Sequence, residues 1–199
     1  ISRMKNAAQR MSNLINDLLE FSRVTTRGKD FIDTDLNEVV AEVLDDLEIA
    51  IKESETTVNL DTLPHIQADP SQMLQLFLNI LSNAVKFRRE DVAPVIDITY
   101  QRTSEFSETH NTDVEWEIIT ISDNGIGFSE EYLEKIFVPF QRLHGRSQYK
   151  GTGIGLSVCR RIVERHGGEI TASSRVGEGA SFTLKLPVET SLFTLQGEA

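Results

Sequence analysis

Cysteine is almost missing: Cys159 is the only one in 199 residues. No internal disulfide can form, and no cysteine-based zinc site can be built. A lone cysteine in an apolar stretch is expected to be a small buried side chain, and a reducing, cytoplasmic setting fits it. Basic residues are also scarce. There are 20 Lys and Arg against 31 Asp and Glu, for a formal net charge of −11. General nucleic-acid binding, which needs a basic surface, is thereby excluded. A single nucleotide is not, because one pocket needs only local positive potential. No apolar run approaches the ~20 residues that span a bilayer, and the first residues lack the pattern of a signal peptide. What is present is ordinary for a globular chain, 39% hydrophobic and 26% charged. That composition and length predict one main domain with a short appendage.

Ile1, Met4, Ala8, Met11, Ile15 and Leu18 follow spacings of three and four, and Leu14 and Phe21 widen the stripe. This is a bundle-type seam over residues 1–24. Residues 27–34, around Gly28-Lys29-Asp30, are expected to be a linker, and residues 35–188 the main domain. A helix follows Asp35, which has capping-box spacing to Glu38. Its apolar face runs from Leu36 to Ile51 through Val39, Val40, Val43, Leu44 and Leu47. A short strand is predicted at Val58–Leu60. The next helix is announced by Asp69 as N-cap, Pro70 at the first position and Gln72 three after the cap. Met73, Phe77, Ile80 and Ala84 share its buried face. Asn79, Asn83 and Lys86 share another, within about 60° of one another at about 100° per residue.

Two strands are predicted at Val95–Tyr100 and Glu115–Ser122, with a polar hairpin loop from Thr103 to Asp113. Ser129 is expected to cap a short helix ending at Ile136. Gly155–His166 is predicted as a helix closed by Gly167, and Ile170–Ser174 and Ser181–Leu186 as strands around a Gly177-Glu178-Gly179 turn. Residues 189–199 are expected to be a tail. The order predicts a two-layer α/β sandwich, a mixed, mostly antiparallel sheet with helices on one face.

Three features carry chemistry. The Asn79/Asn83/Lys86 stripe offers amide oxygens to a hard cation such as magnesium and a point charge to phosphate; alone it equally describes a solvated helix face. Asp123-Asn124-Gly125-Ile126-Gly127 follows a strand. An aspartate there can accept from an exocyclic amine while glycines let the backbone come close, although Asp-Asn-Gly is also a common turn. Gly151-Thr152-Gly153-Ile154-Gly155 runs into a helix N-terminus, which offers free N–H groups to phosphate. It has neither dinucleotide-fingerprint nor Walker spacing. Taken together, in this order, the three converge on a nucleotide.

These motifs resemble those of the catalytic domain of sensor histidine kinases, within the ATPase superfamily that also includes gyrase, the 90-kDa chaperone and MutL. The run Leu76–Phe87 resembles the asparagine box and Asp123–Phe128 the first glycine box. Phe137–Leu143 resembles the phenylalanine box, Gly151–Leu156 the second glycine box, and Gly177–Phe182 the last strand motif. The phenylalanine box and the Gly-Thr-Gly-Ile-Gly-Leu run point to the kinase branch. Phe140-Gln-Arg-Leu-His144 resembles phytochrome-like soluble sensors.

The resemblance implies ATP as ligand, with Asp123 on the adenine amine beside Gly125, Gly127 and Phe128. It implies that Ser181 is the hydroxyl near adenine, that Asn83 and Asn79 hold magnesium, and that Lys86 reaches phosphate while Phe87 packs near the nucleotide. Residues 138–152 would be a lid that moves on binding, with Arg142 and Lys150 as candidate phosphate contacts. Gly151, Thr152, Gly153, Ile154, Gly155 and Leu156 would cradle the phosphates. His144 is expected to be a surface histidine. Residues 1–26, through Met11–Arg23, resemble the second helix of the dimerisation domain, whose first helix bears the phosphoacceptor histidine. None of His65, His110, His144 or His166 sits in that motif.

The implied partners are a response regulator receiver domain and a second copy of the kinase, with no nucleic acid. The implied activity is transfer of the γ-phosphoryl of ATP to a histidine outside this chain. The alternatives are a nucleotide-binding docking module without transfer activity and a gyrase-type ATPase.

Overall fold

The computed structural model describes residues 15, 19, 22, 28–107, 112–141 and 152–189. Most of the expected N-terminal seam lies outside them; Ile15 is helical and 56% exposed. Thr57–Leu60 (β2), Val95–Ser107 (β4), Thr112–Asp123 (β5), Glu169–Arg175 (β6) and Gly179–Pro187 (β7) form one sheet in the order β2-β4-β5-β7-β6. The β2–β4 pair is parallel and the rest antiparallel. Ile32–Asp35 (β1) pairs with His65–Ala68 (β3) in a separate antiparallel ribbon. Leu36–Asp46 (α1), Pro70–Lys86 (α3) and Gly155–Arg165 (α4) supply the helical layer, and Glu48–Ser54 (α2) extends α1. The sandwich and its mixed sheet are those expected.

The helix α3 organises the core. Asp69 has an extended backbone, with ψ 109°, and its carboxylate accepts from the N–H groups of Ser71 and Gln72, meeting two of the donors a helix start leaves orphaned. Met73, Leu76, Phe77, Ile80 and Leu81 are all but fully buried. They meet Val158, Cys159 and Ile162 of α4 and the inward residues Ile96, Ile98, Ile119, Ile121, Phe182 and Leu184 of the sheet in one cluster. Each such side chain contributes about 1.5–3 kcal/mol by leaving water. Cys159 is buried among them, and burial pushes its thiol up to about 12.

Four local expectations are corrected. The helix from Leu36 does not run unbroken to Ile51. It stops at Asp46 and restarts at Glu48, a bend that keeps Leu47, Ala50 and Ile51 packed on the core while Ile49 stays 72% exposed. Asp35 caps it through the Asn37 N–H and amide rather than with Glu38 as a reciprocal partner. The polar segment Thr103–Asp113 is mostly strand, since pairing continues to Ser107↔Thr112. The hydrophobic alternation lapses there because both faces of the ribbon are largely open to solvent, Phe106 being 62% exposed. The ribbon is fastened instead by buried Glu117, which accepts from Tyr100 and Arg102. Finally, Ser129 opens two 3-10 turns, Glu130–Tyr132 and Lys135–Phe137, and caps nothing with its side chain. Two adjacent residues, Ile136 and Phe137, are buried there.

The last residues expected as linker belong to β1. Just before it, residues 28–31 are pinned to the far ends of α3 and α4. Lys29 N–H donates to Asp69 (2.7 Å), and Arg165 donates to Lys29 O (2.8 Å) and Gln72 (2.9 Å). Phe31 stacks on His166 at 4.3 Å, and a side chain at Gly28 would strike the Arg165 guanidinium.

His166 has a single workable tautomer. Its Nε2 accepts from the Asp69 N–H (3.1 Å), so Nδ1 carries the proton and donates to Ile162 O (2.7 Å). Burial pushes its pKa down to about 4. The unfolded chain therefore binds a proton that the folded one refuses. The resulting stability is fully present above about pH 6.5 and is lost as pH falls toward 4. Urea unfolding at pH 5 is expected to give a free energy about 2 kcal/mol below that at pH 7. His166→Asn should flatten that slope; an equal slope in the variant would place its origin elsewhere.

Candidate functional site

The three motifs meet where the helical layer faces the end of β5. Asp123 is the last residue of that strand. It shares strand parity with buried Ile119 and Ile121, so its carboxylate points to the helix side of the sheet. Its Oδ1 accepts from Gly125 N–H (2.8 Å) and Ala180 N–H (3.3 Å). Both bonds go to Oδ1, and among the described residues Oδ2 has no partner, so it is available to a ligand donor. Burial raises the carboxyl above its ordinary value, against the lowering effect of those two bonds.

The turn after Asp123 is locked into its neighbours. Ile126 N–H donates to Phe87 O at the end of α3 (2.9 Å), and Gly177 N–H donates to Ile126 O (2.7 Å). Gly127 has φ +58°, and a Cβ there would stand 2.0 Å from Arg175 O. At Gly179, φ +102°, a Cβ would stand 1.9 Å from Asp123 O. Both positions need glycine for conformation and for space. Ser174 Oγ ties the assembly by accepting from Phe128 N–H and donating to Gly179 O, both at 2.8 Å. The Phe128 ring is half-buried against the core.

At the other end, Asn79 on α3 donates to Gly155 O (3.4 Å), the first residue of α4. Its Oδ1 faces the Gly155 Cα so closely that a Cβ there would meet it at 3.3 Å. The α4 N-terminus has Ile154 at its N-cap position and, among the described residues, no side-chain cap. Its first N–H groups and the positive end of the helix dipole are thus available to an anion. One turn further along α3, the Asn83 amide makes no hydrogen bond among the described residues, and the Lys86 ammonium lies over the Phe87 ring at 4.6 Å. Oxygen donors of two amides, a cation and an uncapped helix start fit a magnesium-bound phosphate chain. The acceptor and glycine turns fit a planar base with an amine.

The structure therefore brings together Asn79, Gly155, Phe87, Gly125, Gly127, Phe128 and Asp123, with Asn83 and Lys86 further along α3. It corrects one of the expected contacts. Ser181 faces the other side of the sheet, where its hydroxyl bonds Ser122 (2.8 Å). Its neighbour Ala180 takes the position beside Asp123 and offers a backbone N–H. The Ile154 side chain is 2% exposed and belongs to the core, and the partly buried Leu156 packs against the same core. Thr152 and Gly153 lead into α4, Gly153 O accepting from Phe140 N–H (3.0 Å). Arg142, His144, Lys150 and Gly151 lie outside the described residues, as does most of the expected lid. Sequence spacing missed Ser174, the Phe87 carbonyl and the Ala180 N–H. The last two are backbone groups, which carry no residue-type signal.

Comparison with known proteins agrees with this geometry. The family described as "Histidine kinase-, DNA gyrase B-, and HSP90-like ATPase" matches residues 68–190. Cyanobacterial phytochrome A of Nostoc sp. strain PCC 7120 is 39% identical over 178 residues, covering 89% of this chain and 22% of that protein. The adaptive-response sensory kinase SasA of Prochlorococcus marinus strain SARG is 37% identical over 192 residues, covering 93% of this chain and 47% of that one. The chain thus spans half or less of the length of these relatives. A crystal structure of histidine kinase ThkA in complex with response regulator protein TrrA is similar at TM-score 0.68 and 25% identity, covering 96% of this chain and 51% of that one. These likenesses lie on the sensor-kinase side of the family.

Proposed function

The chain belongs to the histidine kinase-, DNA gyrase B- and HSP90-like ATPases, and from that premise we propose that it works as the ATP-holding half of a histidine phosphotransfer. The observation that carries this reading is the pairing of two unlike ends along α3: the half-buried Asp123 carboxylate with its open Oδ2, beside a turn tied to Phe87, and the α4 N-terminus tied to Asn79. A base with an exocyclic amine suits the first end and a triphosphate the second.

Asp123 Oδ2 accepts the adenine amine, while Oδ1 stays held by Gly125 and Ala180. Asn83 and Asn79 hold magnesium through their amide oxygens, Lys86 neutralises phosphate, and the first N–H groups of α4 orient it. When bound, magnesium supplies charge neutralisation on the phosphate oxygens. The rest of the rate comes from positioning, since phosphoryl transfer asks little covalent chemistry of the protein. A histidine nitrogen on a helix outside this chain attacks the γ-phosphorus in line, and ADP leaves. A response regulator receiver domain then takes the phosphoryl, and a second kinase copy pairs through the helical domain. The match to longer sensor proteins and the likeness to ThkA, a kinase solved together with its response regulator, support that assignment.

The test is phosphoryl transfer from labelled ATP to a separately added helical hairpin carrying the acceptor histidine. Labelled hairpin that depends on this chain is the expected result. No label at saturating ATP contradicts the proposal.

A further inference from the structure

Arg89 lies just beyond α3, outside the motifs that build the cleft. Its Nη1 donates to Gly177 O across 88 residues of sequence. Its Nε is buried with no partner among the described residues, and an orphaned buried donor is destabilising. The side chain is thus held in place by the bond it makes to one turn, the β6–β7 turn.

That turn matters because of what it touches. Phe87 O accepts from Ile126, Ile126 O accepts from Gly177, and Gly177 O accepts from Arg89. The circuit leaves the end of α3 at Phe87 and returns to it at Arg89, enclosing the glycine turn after Asp123. The backbone has no slack there. Gly127 Cα faces Arg175 O, and Gly179 Cα faces Asp123 O, each too closely to admit a methyl group. The next residue, Ala180, donates to Asp123 Oδ1. A shift of a few tenths of an ångström in the β6–β7 turn would therefore reach the carboxylate directly.

We propose that Arg89 is a positioning residue for base recognition, clamping the β6–β7 turn so that Asp123 Oδ2 stays aimed at an exocyclic amine. This rests on the reading of Asp123 as the base acceptor. Among the described residues Arg89 hydrogen-bonds Gly177 O and neither Asn79, Asn83 nor α4, so its effect should be confined to the base.

The experiment is calorimetric titration of the chain, and of Arg89→Ala and Arg89→Lys, with magnesium ATP, with ADP and with inorganic tripolyphosphate, which has no base. The wild-type comparison comes first. If ATP binds no more tightly than tripolyphosphate, the base reading of Asp123 fails, and the Arg89 proposal fails with it. If ATP binds more tightly, Arg89→Ala should weaken ATP and ADP alike by about five- to tenfold and leave tripolyphosphate unchanged. Arg89→Lys, which keeps the charge and one donor, should recover part of the loss. Equal weakening of tripolyphosphate would overturn the proposal, because a general structural role moves both ligands. Unchanged ATP affinity in Arg89→Ala would overturn it too. Should Arg89→Ala fail to fold, Arg89→Lys decides alone, with loss restricted to ATP and ADP as the supporting outcome.

Discussion

Asp123→Asn is expected to lower ATP affinity about tenfold to a hundredfold, the value of one charge-assisted hydrogen bond at roughly 1.5–3 kcal/mol. The substitution is nearly isosteric. An Asn oxygen in the place of Oδ1 keeps the bonds from Gly125 and Ala180, so the turn retains its shape. The amide nitrogen then stands in the place of Oδ2 and turns a donor toward the adenine amine, itself a donor. The melting temperature of the free variant should hardly move, which separates lost recognition from lost folding. Burial also raises the wild-type carboxyl above its ordinary value. ATP affinity should therefore weaken as the pH falls and the acid form takes over, whereas the Asn variant should show no such dependence from this position. Isothermal titration of both proteins across pH checks the two statements together. An unchanged affinity in the variant would remove Asp123 from the base site.

Gly179→Ala is expected to be harsher, since it attacks the frame that holds Asp123. At φ +102° an L side chain is strained, and its Cβ would lie 1.9 Å from Asp123 O. Strain of about 1–3 kcal/mol adds to an overpacking cost of about 1–3 kcal/mol, so urea unfolding should show a loss of about 2–6 kcal/mol. Any variant that still folds must displace either Asp123 or the β6–β7 turn, and nucleotide binding should disappear. Gly177→Ala is the useful control: its φ is +81°, but open space surrounds the added methyl. It carries backbone strain without the collision, and its unfolding free energy should fall by the smaller amount.

The parts of this molecule that could be read from residue order are those whose signal is local and redundant. The helix α3 combined a cap, a proline at the first turn and two side-chain stripes. Each was needed by a different neighbour, so they agreed. The ribbon of β4 and β5 was harder to read beyond Tyr100, because hydrophobic alternation records burial on one face and the ribbon's far half has little to bury against. The β1–β3 pair, four residues each and partly polar through Asp33, Asp35 and His65, gave no period long enough to see. In the site, glycine spacing announced both turns before their partners were known. The Ser181 assignment failed for a reason of parity. In a strand, one residue's difference turns a side chain to the opposite face, and only the buried alternation of Ala180, Phe182, Leu184 and Leu186 settles which face looks at Asp123. Ile154, inside the glycine-rich run before α4, gives its side chain to the core.

The proposed nucleotide site has a base end at Asp123 and a magnesium-phosphate end at Asn79, Asn83 and α4. Its most direct test is calorimetric titration of this chain with a non-hydrolysable ATP analogue, with and without magnesium. Saturable binding that strengthens when magnesium is present is the predicted result, because the two amides and the uncapped helix start need the cation to accept a polyanion in an acidic protein. No binding, or binding indifferent to magnesium, would contradict the account and leave a kinase-shaped scaffold without a working nucleotide site.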